Sequence, residues 1–353
     1  MRGFASDNYA GVHPEVMDAI AAANDEHARA YGDDPVTARL AERVREEFGP
    51  DARAFVVFNG TGANVVAMRA LLRPWEGVIC AQTAHVEVDE AGAPERIAGT
   101  KLLTVATPHG KLTPELCAPR IARMDDIHAV RPGMVSVTNS SELGTVYSVA
   151  ELEAVADFAH GHGLLLHVDG ARLANAAEAL GTGLGDITSA VGVDVFTLGG
   201  TKAGVMGAEA VVVLRPDLHD GVERIRKQSM QLASKMRFLS TQLEALLTAD
   251  LWRRTAGQAN AMARRLAEAV AGVPGVELAH PVDANALFPV LPPGVAEELQ
   301  TRWAFYTWDE AARVSRWMCS WDTTPDDVDA FAADVAATCR AALGAPAPSV
   351  LSQ

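Results

Sequence analysis

The sequence predicts an α/β protein in two parts. The larger is a mainly parallel sheet between helices, and the smaller is an α+β unit at the C-terminal end. Three observations carry this. The first two thirds alternate strand-like and helix-like segments, the rhythm of parallel strands joined by crossover helices. Two strand segments, "GLLLHVD" and "AEAVVVL", are continuously apolar, as strands covered on both faces are. A chain of 353 residues also exceeds what a single core usually organises.

In "DPVTARLAERVREEFG", Asp34–Pro35 starts a helix, Val36, Leu40 and Val44 recur at helical spacing, and Gly49 stops it. "AFVVF" follows as a strand, then the turn "NGTGAN" and the helical "VVAMRALL". "GVICA" and "GMVSVTN" are further strands. "SVAELEAVADFAHGHG" is a helix in which Ser148 and Glu151 are placed for a capping box. "GLLLHVD", "VDVFTL" and "AEAVVVL" complete the strand series, the last two flanking "GGTKAG". The final third changes character. A helix over "AGQANAMARRLAEAVAGVPG" is followed by short strands near "ALFPVL" and "RVSRWMCSW", and a helix over "TPDDVDAFAADVAATCRAAL". This places residues 1–250 in a large domain, 251–345 in a small one, and a frayed tail at 346–353.

The composition is that of a soluble globular chain, with 49% hydrophobic and 21% charged residues. A net charge of −15 argues against nucleic acid or an anionic membrane as the main partner. No apolar stretch is long enough to span a bilayer, and "MRGFASDNYAG" lacks the apolar segment of a signal peptide. Cys80, Cys117, Cys319 and Cys339 show neither zinc-ligand nor disulfide-framework spacing, so no metal site is expected. Isolated thiols fit a reducing cytoplasm.

Ligands of an open parallel sheet gather beyond the carboxyl ends of its strands, and four such ends carry suggestive residues. Gly60, Thr61 and Gly62 open a helix after a strand, a place where backbone N–H groups can hold a phosphate. Taken alone, the turn fits a plain strand-to-helix connection better. Asp169 ends "LLLHVD" and reads as a cleft carboxylate or as the cap of the next helix. Arg172 follows, as a fork for a substrate carboxylate or as a partner of Asp169. Lys202 stands among glycines after a buried strand. A desolvated lysine sheds its proton and attacks carbonyls, whereas an exposed one does neither. His85 lies in "QTAHVEVDE". Together these groups match what pyridoxal 5′-phosphate needs: a lysine for its aldehyde, an anion for its ring nitrogen, backbone donors for its phosphate and a ring to stack on.

The segments "SDNYAGVHPEV", "FNGTGAN", "AHVEVDEAGAPE", "HVDGARLANA", "TLGGTKAGV" and "SKMRFLS", in this order, resemble the L-threonine aldolases. These belong to the β-eliminating-lyase branch of the aspartate-aminotransferase-like, fold type I pyridoxal-phosphate enzymes. The resemblance implies reversible cleavage of L-threonine, L-allo-threonine and related β-hydroxy-α-amino acids such as phenylserine to glycine and an aldehyde. It implies Lys202 as the Schiff-base lysine, Asp169 as the pyridinium partner, His85 as the stacking ring, and Gly60 and Thr61 at the phosphate. Arg172 and Arg316 would hold the substrate carboxylate, with Ser6 in contact with the substrate and His128 near its hydroxyl. Lys227 and Arg237, in the basic stretch 224–237, would reach a neighbour's phosphate site in a homo-oligomer, a tetramer built on a dimer. Tyr9 stands where the family pattern has a small residue. The alternatives are another enzyme of this scaffold, a β-eliminating lyase or aminotransferase, or a non-catalytic cofactor-binding module. The last would call for an appended basic DNA-binding domain.

Overall fold

The computed structural model describes residues 3–344; the tail expected at 346–353 lies outside the described residues. Segments rich in valine, isoleucine and leucine pair into one seven-stranded sheet because helices cover both of its faces. Its strands are β1 (Arg53–Val57), β2 (Glu76–Ala81), β3 (Lys101–Val105), β4 (Arg131–Thr138), β5 (Leu165–Gly170), β6 (Val195–Gly199) and β7 (Glu209–Val213). Their spatial order is β1-β7-β6-β5-β4-β2-β3. The pairs from β3 to β6 are parallel, while β7 runs antiparallel to both β6 and β1. Thr138 pairs with Asp169, and Asp169 with Thr197. The carboxyl ends of β4, β5 and β6 therefore stand in one row.

The local signals act as the sequence suggests. Asp34 accepts the Thr37 N–H at 2.8 Å at the start of the helix Pro35–Phe48, and Gly49 ends it at φ 105°. Ser148 and Glu151 form a capping box on the helix Val149–Gly161. Gly170 ends β5 where a Cβ would drive into the Thr197 carbonyl, so a side chain there would push β5 and β6 apart.

The large core gathers around this sheet. A second core joins the helix Leu251–Val270, the helix Pro325–Gly344 and a small antiparallel sheet containing Tyr306–Asp309 and Val314–Met318. The helix Leu251–Val270 starts earlier than its sequence pattern suggests because Leu251 and Trp252 bury in the large core, while Leu266 and Val270 bury in the second. The helix thus begins at the expected boundary near residue 250, with its first turn still packed on the large core. The second core also takes in Phe4, whose ring stacks on Phe331 at 4.4 Å. Phe4 N–H donates to the Ala304 carbonyl at 2.7 Å, and its own carbonyl accepts from Met318 N–H at 2.8 Å. Among the described residues no helix is long and apolar enough to cross a membrane.

Candidate active site

Asp169 ends β5 with 4% of its surface exposed. Its Oδ2 accepts from Asn64 Nδ2 at 2.8 Å and its Oδ1 from Ala171 N–H at 3.0 Å. It does not cap the helix Leu173–Leu180, which has no side-chain cap. Burial alone would push this carboxyl up. The Asn64 hydrogen bond and the nearby His167 and Lys202 outweigh it, so Asp169 is held below its ordinary value. His167, buried two residues back along β5, is pushed down to about 4 by desolvation, so it is neutral at physiological pH.

Lys202 lies in a one-turn helix just past β6. Burial, then the positive charge of Arg172, lower its pKa, while Asp7, Asp169 and Glu209 oppose the shift. Glu209, at the facing end of β7, accepts the N–H groups of Gly200 at 2.9 Å and Thr201 at 3.2 Å. It therefore ties down the loop that carries the lysine. Burial pushes the Glu209 carboxyl up to about 7.

His85 opens a short helix after β2. Its Nδ1 lies 2.9 Å from Glu90 Oε1, which also accepts from Asn64 Nδ2 at 2.9 Å. Asn64 accepts in turn from Thr197 Oγ1 at 2.9 Å. One amide thus joins the histidine's carboxylate partner to Asp169. Glu90 raises the His85 pKa by this contact, against burial. The His85 N–H donates to Glu142 Oε1 at 2.8 Å.

Gly60 and Thr61 begin the helix Gly60–Leu71, and the space above Gly60 is open. Asn59 caps Gly62 at 2.7 Å. The N–H groups of Gly60 and Thr61 are left without a protein partner among the described residues, as first-turn donors are.

Arg172 follows β5 directly, whereas Arg316 comes from the strand Val314–Met318 of the second sheet. Arg172 is gripped by Asp7 through Nε–Oδ2 at 2.6 Å and Nη2–Oδ1 at 2.9 Å. Arg316 donates to the Ala5 carbonyl at 3.1 Å. Its guanidinium lies 5.2 Å from the Tyr306 ring and 5.3 Å from that of Trp308, and its buried Nε has no partner among the described residues. Ser6 caps the adjoining turn by accepting Asn8 N–H at 3.2 Å. Tyr9, the unexpected large residue, bonds to the Tyr306 hydroxyl at 2.7 Å. A cavity of about 540 Å³ opens here, lined by Asp89, Trp308 and Arg316 among others.

Three sequence expectations fall outside this cluster. His128 sits on an exposed loop leading into the first residue of β4, its N–H bonded to Asp126 at 2.9 Å. Asp169 lies beside the far end of that strand, paired with Thr138, about 25 Å away at the usual rise. A loop that precedes a parallel strand opens on the opposite edge of the sheet, so within one chain His128 does not join the site. Lys227 lies 5.0 Å from the Tyr31 ring, and Arg237 donates to the carbonyls of Asp25 and Glu26. Within the chain it is Gln231, unnoticed in the sequence, that reaches the glycine turn: its Oε1 accepts Phe58 N–H at 3.0 Å, and it packs on Gly62.

The donor set suits pyridoxal phosphate. A desolvated lysine amine, a buried anion on the neighbouring strand and a histidine ring lie within electrostatic reach of one another, and an open helix start follows β1 in the same sheet. The fold and this set define an α/β enzyme of the aspartate-aminotransferase type that uses this cofactor. The pattern of β-eliminating lyases matches residues 3–291, and the chain belongs to that family. It is 46% identical to the low specificity L-threonine aldolase of Pseudomonas aeruginosa, over 94% of this chain and 96% of that one. It is 44% identical to the enzyme of the same name from a Pseudomonas species, over 96% and 98%. The structure of Leishmania major threonine aldolase superposes with a TM-score of 0.89 at 33% identity, covering 94% of this chain and 98% of that one. Thermus thermophilus aspartate aminotransferase shares the fold at a TM-score of 0.68 and 20% identity, covering 93% and 89%.

Proposed function

We propose that the protein cleaves L-threonine, L-allo-threonine and related β-hydroxy-α-amino acids to glycine and an aldehyde, reversibly, with pyridoxal 5′-phosphate as cofactor. The observation that carries this is the placement of Lys202 and Asp169 at adjacent strand ends, in one buried electrostatic centre, with Arg316 facing it from the second core. The names of the relatives that match over nearly the whole chain support the same reading.

Each residue has a part that follows from its surroundings. Lys202 is desolvated, so its amine is more readily free of a proton and able to attack a carbonyl. Asp169 stays anionic and holds a proton on a ring nitrogen placed against it. Gly60 and Thr61 offer N–H donors, aided by the helix dipole, to a phosphate. When bound, the cofactor supplies an aldehyde for amines and a ring that draws electrons from bonds at Cα. Arg316 takes the substrate carboxylate, which sets the orientation of the Cα–Cβ bond. Positioning of this kind is worth several kcal/mol, up to about 7–11. His85, with Nδ1 fixed by Glu90, has Nε2 left to take the β-hydroxyl proton. Ser6 steadies the carboxylate side.

The oligomer belongs to the same proposal. Lys227 and Arg237 lie on the stretch that would approach a neighbour's phosphate site in a dimer-based tetramer, working in the cytoplasm. The test is to assay both threonine diastereomers with and without added pyridoxal phosphate, and to identify the products. Glycine with acetaldehyde is expected, and oxo-acid products would replace the reading with elimination or transamination. Lys202→Ala should abolish the yellow chromophore of the purified protein, and an unchanged chromophore would refute the role of Lys202.

A further inference from the structure

The small antiparallel sheet borders a second cavity, of about 670 Å³. This is the size of a small-molecule site, about 300–1,000 Å³. Ser315 lines it, is 1% exposed, and has a buried hydroxyl with no partner among the described residues. A buried hydroxyl without a hydrogen bond is costly and calls for a partner. Leu291, Pro292 and Ala296 give the cavity an apolar side. Arg313, Glu297 and Glu310 stand exposed around it and form no ion pair among the described residues. Thr307 and Trp308 line this cavity and also the one of about 540 Å³ that contains Arg316, so the two share a wall. Trp308 falls in a β-bulge: Thr307 pairs with Ser315 and Asp309 with Val314, which leaves Trp308 with no residue opposite. A residue so placed can be re-aimed without breaking the ladder on either side. Its ring lies 5.3 Å from the Arg316 guanidinium and 5.4 Å, edge-on, from that of buried Phe288.

We propose that the cavity beside Ser315 binds a small apolar α-amino acid, and that this ligand acts on the active site through Trp308. The lining carries a charge of each sign, a buried hydroxyl and an apolar side, which is the complement of such a molecule. Arg313 takes the carboxylate, aided by the Ser315 hydroxyl, Glu297 and Glu310 take the ammonium, and the side chain lies against Leu291, Pro292 and Ala296. A phosphate would meet the two glutamates, and a plain hydrocarbon would leave Ser315 unpaired. Binding stands on this geometry alone, while its effect on threonine rests on the aldolase reading above. A ligand that fills the cavity packs the far side of the shared wall. Trp308 then moves less, the plane of Arg316 is better fixed, and the substrate is held more tightly. Each ligand favours the other by the same factor.

The probe is L-leucine, which has no β-hydroxyl and cannot be cleaved in the same way as threonine. It is titrated by calorimetry into the full-length protein purified with pyridoxal phosphate and saturated with glycine, which fills the first site. One leucine per chain is expected. Arg313→Glu and Ser315→Ala should each weaken this binding about tenfold, the worth of one hydrogen bond to a charged group, and leave threonine turnover unaltered when leucine is absent. Saturating leucine should lower the KM for threonine about two- to fivefold in the parent and leave it unmoved in Arg313→Glu. No binding to the glycine-saturated protein, or equal affinity in the parent and Arg313→Glu, overturns the proposal. A rise in KM that is the same in both proteins places leucine at the substrate's own site and overturns it too. Absence of threonine cleavage in the parent would overturn the aldolase reading instead, and the affinity difference between the parent and Arg313→Glu would still decide the second site.

Discussion

Asp169 and Lys202 stand at the ends of neighbouring strands of one sheet, whereas Arg316 reaches the same space from the second core and Arg172 is held there by a residue from the start of the chain. The first half of the site is set by strand register alone. Its polar groups, Asn64, Glu90, Thr197 and Glu209, are buried and bonded to one another or to the lysine loop. The second half exists only when two cores and the segment around Asp7 come together. On the proposed reading, electron withdrawal at the cofactor would depend on a rigid frame, and recognition of the substrate on an assembled one.

This contrast can be broken by experiment. Asp169→Ala should lower turnover by about 10²–10³-fold while the bound chromophore remains, a loss typical of one preorganised electrostatic partner; a change confined to KM would place Asp169 in the recognition half. Arg316→Ala should raise KM by about 10–100-fold, from the loss of charge-assisted bonds, with a smaller change in kcat. A fall in kcat alone would merge the two halves. Glu209 tests the frame through pH. Its pKa in the folded protein, about 7, lies above its ordinary value of 4.5. Its favourable contribution is complete below about 4.5 and is lost as pH rises through 7. The melting temperature of Glu209→Gln relative to the parent should therefore climb between pH 5 and pH 8, by about 2–4 °C for each kcal/mol recovered; a constant difference would show that Glu209 does not titrate there. The smallest effect is expected at the rim. Trp308→Ala should raise KM only about two- to fivefold, the worth of one partly exposed cation–π contact, and leave kcat unaltered.

The same contrast decides what could be read from the sequence. Strand ends followed by glycine, aspartate or lysine are local signals, so "HVDG" and "GGTKAG" pointed to Asp169 and Lys202 and to the sheet that carries them. The caps at Asp34 and Ser148 were local as well. Asp7 was visible in "SDN" and Asn64 in "NGTGAN", but neither could be given a role. Each acts through partners more than a hundred residues away, and a buried polar side chain is chosen by such partners. Glu90 and Glu209 drew no reading in the sequence although their partners are nearby in the chain, because a glutamate gives no local sign of being buried. Gln231 escaped notice because a glutamine in a basic stretch carries no signal of its own. His128 lies within one chain on the loop that precedes β4, and a resemblance between sequences does not say on which edge of the sheet a loop emerges.

The seating of Phe4 against Phe331, with backbone bonds to Ala304 and Met318, closes a loop of roughly three hundred residues. Joining such distant stretches costs more chain entropy than pairing neighbouring strands does. The central sheet can therefore take shape first, with the segment that carries Ser6 and Asp7 clasped onto the second core as a later event in folding.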